Sequence, residues 1–391
     1  MKRLLPIFIA AVALVSSAAA AFAQAVPPHE HSIVFARETD TISNYYRIPA
    51  LAVAKNGNII AAADARGNQL ADLPQVISVV VRVSHDNGRT WGPIKMIAKG
   101  EKKGEITYGD PALVTDPADG TIYLFYSGDN GFGASTKEHP IRLFMSKSTD
   151  NGETWTAPTD LTEKIWQPDW VAAFFTSGAA LATTDGRIMI VPVVRLQGKR
   201  GAYDYAAWTN DGGETWHTGT ETATPAGNGN EAKLMELADG RLLMSLRSPA
   251  HRMFATSADG GNTWSQLDSV PELVEPGCNG DIIRYNAPSG KSYLLHSIPN
   301  TTEERKDKGT QRENVSIFVS DDEGATWKKH YTVVRPESSY SAMTVLPDGS
   351  IGILVEEGWW EGWVEGGAIN ANNPGFNLVF HRLTPEMLGL E

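Results

Sequence analysis

SHDNGRTW at residues 84–91 decides the fold, because the chain writes it five times. It returns as STDNGETW (148–155), TNDGGETW (209–216), SADGGNTW (257–264) and SDDEGATW (320–327). The closing tryptophans, Trp91, Trp155, Trp216, Trp264 and Trp327, stand 48 to 64 residues apart. Asp, Asn and Gly bend the chain into a tight turn, in which the Asp carboxylate accepts backbone N–H groups and Gly takes positive φ freely. The repeated aspartates are therefore read as turn-formers, not as catalysts. A repeat of this length suits one four-stranded blade of a β-propeller.

Apolar strand-like runs surround each turn. ISVVVRVS, IRLFMSKS, YDYAAWT, HRMFATS and VSIFVS lead into the five repeats. GNIIAAADA, GTIYLFYSG, GRIMIVPVV, GRLLMSLRS, KSYLLHSI and GSIGILVEE follow turns or loops. These form about six strand groups. Helix is expected only as a short turn near Pro385 to Leu388. The fold class is all-β, a six-bladed propeller with five repeat hairpins, in one domain over 32–391.

Of the 391 residues, 41% are hydrophobic, enough for a large core, and 20% are charged, too few for a disordered chain. The formal net charge of -12 argues against nucleic acid as a partner. Cys278 is the one cysteine, so no intramolecular disulfide forms, and core packing is its expected role. Lys2 and Arg3 precede an apolar run, and Ala21-Phe22-Ala23 closes it. Residues 1–23 are read as a signal peptide and 24–31 as an unstructured leader. The expected location is periplasmic or extracellular, with no membrane span. His29 and His31 are read as tail and not as metal ligands. No Walker loop, dinucleotide fingerprint or zinc-ligand spacing is present.

Charged residues cluster in short motifs between the repeats. Arg47 stands in YRIP, Arg66 and Asp72 in ADARGNQLADL, and Asp110 in YGDPALV. Glu231 stands in GNGNEAKLMEL, Arg247 in SLRSP, Arg312 in RENVSIF, Tyr340 in SYSAM and Glu356 in ILVEE. Together with the repeats, known there as Asp boxes, they resemble the sialidase (neuraminidase) superfamily, and bacterial exo-sialidases within it. The likeness runs from about Ser43 to Glu357.

The resemblance implies a role for each residue. Arg47, Arg247 and Arg312 grip the substrate carboxylate, a match to the rigid guanidinium fork. Arg305 is a neighbouring alternative to Arg312. Glu356 holds Arg47 in place, with Glu357 as the alternative. Tyr340 is the nucleophile and Glu231 its base, with Glu236 as a nearby decoy. The anomeric carbon of sialic acid bears a carboxylate, which repels an anionic nucleophile and tolerates a neutral phenol. Asp72 is the general acid/base, with a pKa raised by partial dehydration on its loop. Asp64 competes with it, but is read as a support for Arg66. Arg66 and Asp110 meet the C4 hydroxyl and N-acetyl side of the sugar.

The implied activity is exo-α-sialidase hydrolysis of terminal sialic acids with retention, without a cofactor, on sialylated glycans. The loop Leu73-Pro74-Gln75 and the stretch Thr176 to Ala180 depart from the family pattern. The second departure, after Trp166, Trp170, Phe174 and Phe175, leaves the sialic acid variant open. Trp359, Trp360 and Trp363 either contact the aglycone or pack a late blade. A trans-sialidase, an anhydro-forming enzyme, a glycosidase for another nonulosonic acid and a non-catalytic glycan-binding propeller are the rivals.

Overall fold

The computed structural model describes residues 29–37, 42–67, 69–102, 105–222, 227–300, 312–334, 338–358 and 375–390. The signal-peptide reading, Arg305 and the three tryptophans Trp359, Trp360 and Trp363 lie outside them. Among the described residues regular structure is almost entirely β, in seven sheets. The expected turn is a 3-10 helix, Pro385–Leu388, and one short helix, Thr162–Ile165, was not anticipated.

Three sheets are simple four-stranded meanders. The first runs Tyr46–Val53, Ile59–Ala65, Ser78–Ser84 and Lys95–Ala98. Two more begin at Ala232–Glu236 and Asp281–Asn286. Another meander, from Tyr108–Thr115, gains Gly178–Ala179 as a parallel edge. The last sheet, Ser338–Val345, Ile351–Glu357 and Asn377–Leu383, is completed by Glu30–Phe35 from the other end of the chain.

That closure corrects the leader reading. Glu30 and His31 pair with Arg382 and His381, and His29 bonds both the Tyr331 hydroxyl and His381. An edge strand left open would expose unpaired backbone groups, and the N-terminal strand covers them. Its partner is sequence-remote, so local composition does not reveal it.

The segment 170–218 also differs from expectation. GRIMIVPVV divides into Ile188–Ile190 and Pro192–Leu196, which join different sheets. Pro192 lacks a backbone N–H, which favours a break in the ladder there.

Apolar clusters bind consecutive sheets to one another, and one joins the last sheet to the first through Val34, Leu354, Phe380, Leu51 and Ala61. Meanders packed in succession, with first and last strands sharing a sheet, make a β-propeller.

The repeat turns fold as their chemistry dictates. In the first, Asp86 accepts the Thr90 N–H at 2.8 Å, the Thr90 hydroxyl at 2.5 Å and the Ser84 hydroxyl at 2.8 Å. Asp150, Asp211, Asp259 and Asp322 repeat this set. Gly88 has φ +85°, and a Cβ there would lie 2.1 Å from Phe380, so only glycine fits. Trp91 packs edge-on against the same Phe380.

Bulges in the first strands of three sheets aim the site residues. Pairing shifts register between Arg47 and Ala50, between Gly109 and Ala112, and between Ser338 and Ser341. Ile48 and Asp110 take φ of +60° and +61° there. Such a φ is strained for β-branched Ile48, and a bulge re-aims side chains toward one end of a strand.

Candidate active site

Tyr340 stands at the centre of the assembled residues. Its hydroxyl donates to Glu231 Oε2 at 2.7 Å. Arg247 Nη1 donates to that hydroxyl at 2.9 Å and to Glu231 Oε2 at 2.5 Å. The guanidinium carbons of Arg47 and Arg312 each lie 5.2 Å from the centre of the Tyr340 ring. All three expected arginines therefore surround one phenol. Arg247 Nε is buried without a hydrogen-bond partner, a donor available to an anion.

Glu356, and not Glu357, pairs with Arg47. It accepts Arg47 Nε at 3.1 Å and Nη2 at 3.0 Å, and also the backbone N–H groups of Ile48 and Tyr340. It is fully buried, and one carboxylate thus fixes an arginine and two strands. Glu357 points the other way along the strand, to His381. Glu236 accepts from Thr184 at the surface, away from Tyr340.

Arg66 joins two carboxylates. It donates to Asp64 Oδ2 at 2.8 Å and to Asp72 Oδ1 at 2.7 Å. Asp64 also accepts the Asp110 N–H, in the supporting position expected of it. The Asp72 side chain is 69% exposed. Its loop rests on Gly131, where a Cβ would meet the Leu73 carbonyl at 2.4 Å.

The electrostatics sort these acids. Burial pushes Glu231 up, but Arg247, Lys233 and the bonds from Tyr340 and Arg247 outweigh it and hold the carboxyl below its usual range. Burial pushes the Tyr340 phenol well above its usual range; Glu231 adds to this, while Arg247 and Arg312 pull against it. Burial, then Asp64, Asp72 and Glu231, push Asp110 well above its usual carboxylate range, while Arg66 pulls against them. Asp72 reverses the expectation of a raised pKa. Desolvation raises it, yet Arg66, Arg47 and Arg312 together bring it below its usual range.

Four contributors were not singled out from the sequence. Lys233, Asn279 and Ser177 are buried beside Glu231, and Phe376 stacks under Arg47. Lys233 carried a signal, a lysine inside the apolar strand Ala232–Glu236. Cys278 is buried against Ile48 and Tyr340, in the packing role expected. Trp170 and Phe175 lie in the core, and Phe174 packs edge-on with Phe132. Among the described residues, no group of three His, Cys, Asp or Glu could hold a metal ion. Nor is any described helix long and apolar enough to cross a membrane.

Comparison with known proteins gives this geometry a lineage. A family model described as BNR repeat-like domain matches residues 57–353. The chain is 29% identical over 341 residues to a sialidase of Bacteroides fragilis, an alignment covering 81% of this chain and 61% of that one. It is 31% identical over 330 residues to a sialidase of Micromonospora viridifaciens, covering 80% and 50%. A solved Hadza microbial sialidase is similar in structure at a TM-score of 0.76 and 26% identity, covering 89% of this chain and 67% of that one. The chain thus spans 61% and 50% of the length of these two curated relatives. Matched over most of its length, it belongs to the BNR repeat-like domain family.

Proposed function

We propose that this protein is an exo-α-sialidase, a six-bladed propeller in which the two sheets of segment 170–218 share one blade. One observation carries the reading: a phenol hydrogen-bonded to a buried carboxylate at 2.7 Å and ringed by three arginines. The sialidases among its relatives support it.

In this reading Arg47, Arg247 and Arg312 bind the substrate carboxylate, and the unpartnered Arg247 Nε gains an acceptor. Bound carboxylate offsets the positive field that depresses Asp72. Its pKa rises on binding, and it can then protonate the leaving oxygen. Tyr340 attacks the anomeric carbon while Glu231 takes its proton. Tyrosine nucleophiles are the known sialidase exception among glycosidases. The leaving alcohol departs and a sialyl-tyrosine remains. Asp72, now a carboxylate, draws a proton from water, which attacks the same carbon; the bond to the Tyr340 oxygen breaks, Glu231 returns its proton to that oxygen, and the configuration is retained. Asp110 meets the C4 and N-acetyl side of the sugar, beside Arg66.

The substrates in this proposal are sialylated glycans, and residues 1–23 direct export to the periplasm or beyond. The test is a release assay on a panel of differently linked sialosides, with products followed by NMR with and without a galactoside acceptor. Free sialic acid formed first as the α-anomer is expected. Transfer to the acceptor or an anhydro product would replace hydrolysis with a related activity. No release from any substrate would leave a glycan-binding propeller.

A further inference from the structure

Glu231 is held from two sides. Its Oε2 meets Tyr340 and Arg247. Its Oε1 accepts the Ser177 hydroxyl at 3.3 Å. Ser177 Oγ accepts Asn279 Nδ2 at 3.0 Å, and Asn279 Oδ1 accepts Lys233 Nζ at 2.8 Å. Lys233, Asn279, Ser177 and Glu231 are all buried.

The direction of this chain is fixed by chemistry. An ammonium group only donates, so the Asn279 oxygen must face Lys233. The Asn279 nitrogen then faces Ser177, and the single Ser177 hydrogen is left for Glu231. Removing Lys233 would free Asn279 to rotate and Ser177 to donate elsewhere.

We propose that Lys233, Asn279 and Ser177 are positioning residues, a one-way donor chain that keeps Glu231 ionised with Oε2 turned to Tyr340. The proposal rests on the sialidase reading, in which the donor chain keeps the base ready when substrate arrives. Arg247 alone cannot do this, since the substrate carboxylate shares its charge once bound. Lys233 is out of the substrate's reach and keeps its effect throughout.

The surrounding charges agree. Glu231 is faced by Arg247, Lys233 and Tyr340, and its charge is also felt by Asp110. Lys233 is faced by Asp281, Glu231, Arg252 and Cys278; burial pulls its ammonium down to about 8, against Asp281 and Glu231. Among the described residues, a separate cavity of about 520 Å³ is lined by Lys233 and Asp281, together with Leu51, Leu113, Met235 and Met343. Neither Glu231 nor Tyr340 lines it. Lys233 thus stands between that space and the candidate site.

The test compares Ser177→Ala and Lys233→Met with the parent on an aryl sialoside, whose good leaving group makes little demand on Asp72. The acid limb of the kcat/KM profile then reports protonation of Glu231. Both variants should move that limb upward by about one pH unit, with a several-fold loss of kcat at neutral pH and KM changed by less than about twofold. Ser177→Thr, which keeps the hydroxyl, should restore the limb. Limbs unmoved in both variants, even with lowered thermal midpoints, would make the chain purely structural and overturn the proposal. A second readout needs no turnover: infrared titration of the Glu231 carboxyl, assigned by difference against Glu231→Gln. An upward shift in Ser177→Ala supports the chain and no shift overturns it. If the parent releases no sialic acid, the functional reading fails and the infrared titration decides the chain alone.

Discussion

Tyr340 and Glu231 lie 109 residues apart in the chain and 2.7 Å apart in space. The phenol donates to the carboxylate while Arg247 donates to both of them. Burial makes a free tyrosinate costly, so the phenol is stable as a neutral group at rest. The depressed Glu231 is ionised at neutral pH and can accept the proton as the phenol reacts. In the proposed mechanism, neutral nucleophile and charged base are thus separated by environment, not by residue type alone.

Asp72→Asn should discriminate between leaving groups. Loss of the acid should lower kcat/KM on a sialyl-oligosaccharide by about 10²- to 10⁴-fold. An aryl sialoside, whose departure needs little protonation, should lose much less. Parallel steady-state kinetics on the two substrates check this. Equal losses would remove Asp72 from the acid role.

Glu356→Gln should act mainly on stability. The variant removes the carboxylate that pairs with buried Arg47 and weakens two backbone contacts. Breaking one partner of a buried ion pair costs about 3–5 kcal/mol. Chemical denaturation against the parent should show a loss in that range. A loss within error of zero would mean that solvent reaches Arg47 and replaces the carboxylate.

The repeat turns should weaken in acid. The Thr263 hydroxyl first, then its N–H and the Ser257 hydroxyl, hold Asp259 down to about 2. Its folded pKa lies below the unfolded value of about 3.9, so its stabilisation is present above pH 4 or so and fades as pH falls toward about 2. Thermal midpoints measured across that window should drop for the parent. Asp259→Asn, already lacking the charge, should fall less steeply over the same range.

Gly131→Ala should impair the reaction without unfolding the protein. The added methyl would meet the Leu73 carbonyl at 2.4 Å and Pro74 Cδ at 2.6 Å, displacing the loop that carries Asp72. A displacement of about 1 Å can cost up to about 10²-fold in rate. The expected result is a lowered kcat on a sialyl-oligosaccharide with a thermal midpoint close to the parent's. Unchanged kcat would show that the loop shifts without moving its acid.

The sequence revealed most where the physics is local. Asp86 and its four counterparts form turns from eight consecutive residues, and these positions can be read directly. Arg47, Asp72, Glu231, Arg247, Arg312 and Tyr340 were singled out through motif resemblance, and the fold brings them together. What joins them was not legible. Ile48 takes positive φ against its β-branched preference, and nothing local in YRIP announces the bulge. Lys233 finds its partner Asn279 46 residues away, a contact made only by neighbouring sheets. Glu30–Phe35 reads in part as leader because its partner, Asn377–Leu383, lies at the other end of the chain. The Asp72 pKa departs from expectation because the field of three arginines is a property of the assembled site.

The most direct measurement is covalent trapping. A fluorinated sialic acid that forms a slow-hydrolysing glycosyl-enzyme should label the active protein once. Peptide mass spectrometry should place the label on Tyr340, and Glu231→Gln should slow its appearance. A label on Asp72, Glu231 or another carboxylate would contradict the account, as would an active enzyme that never acquires one.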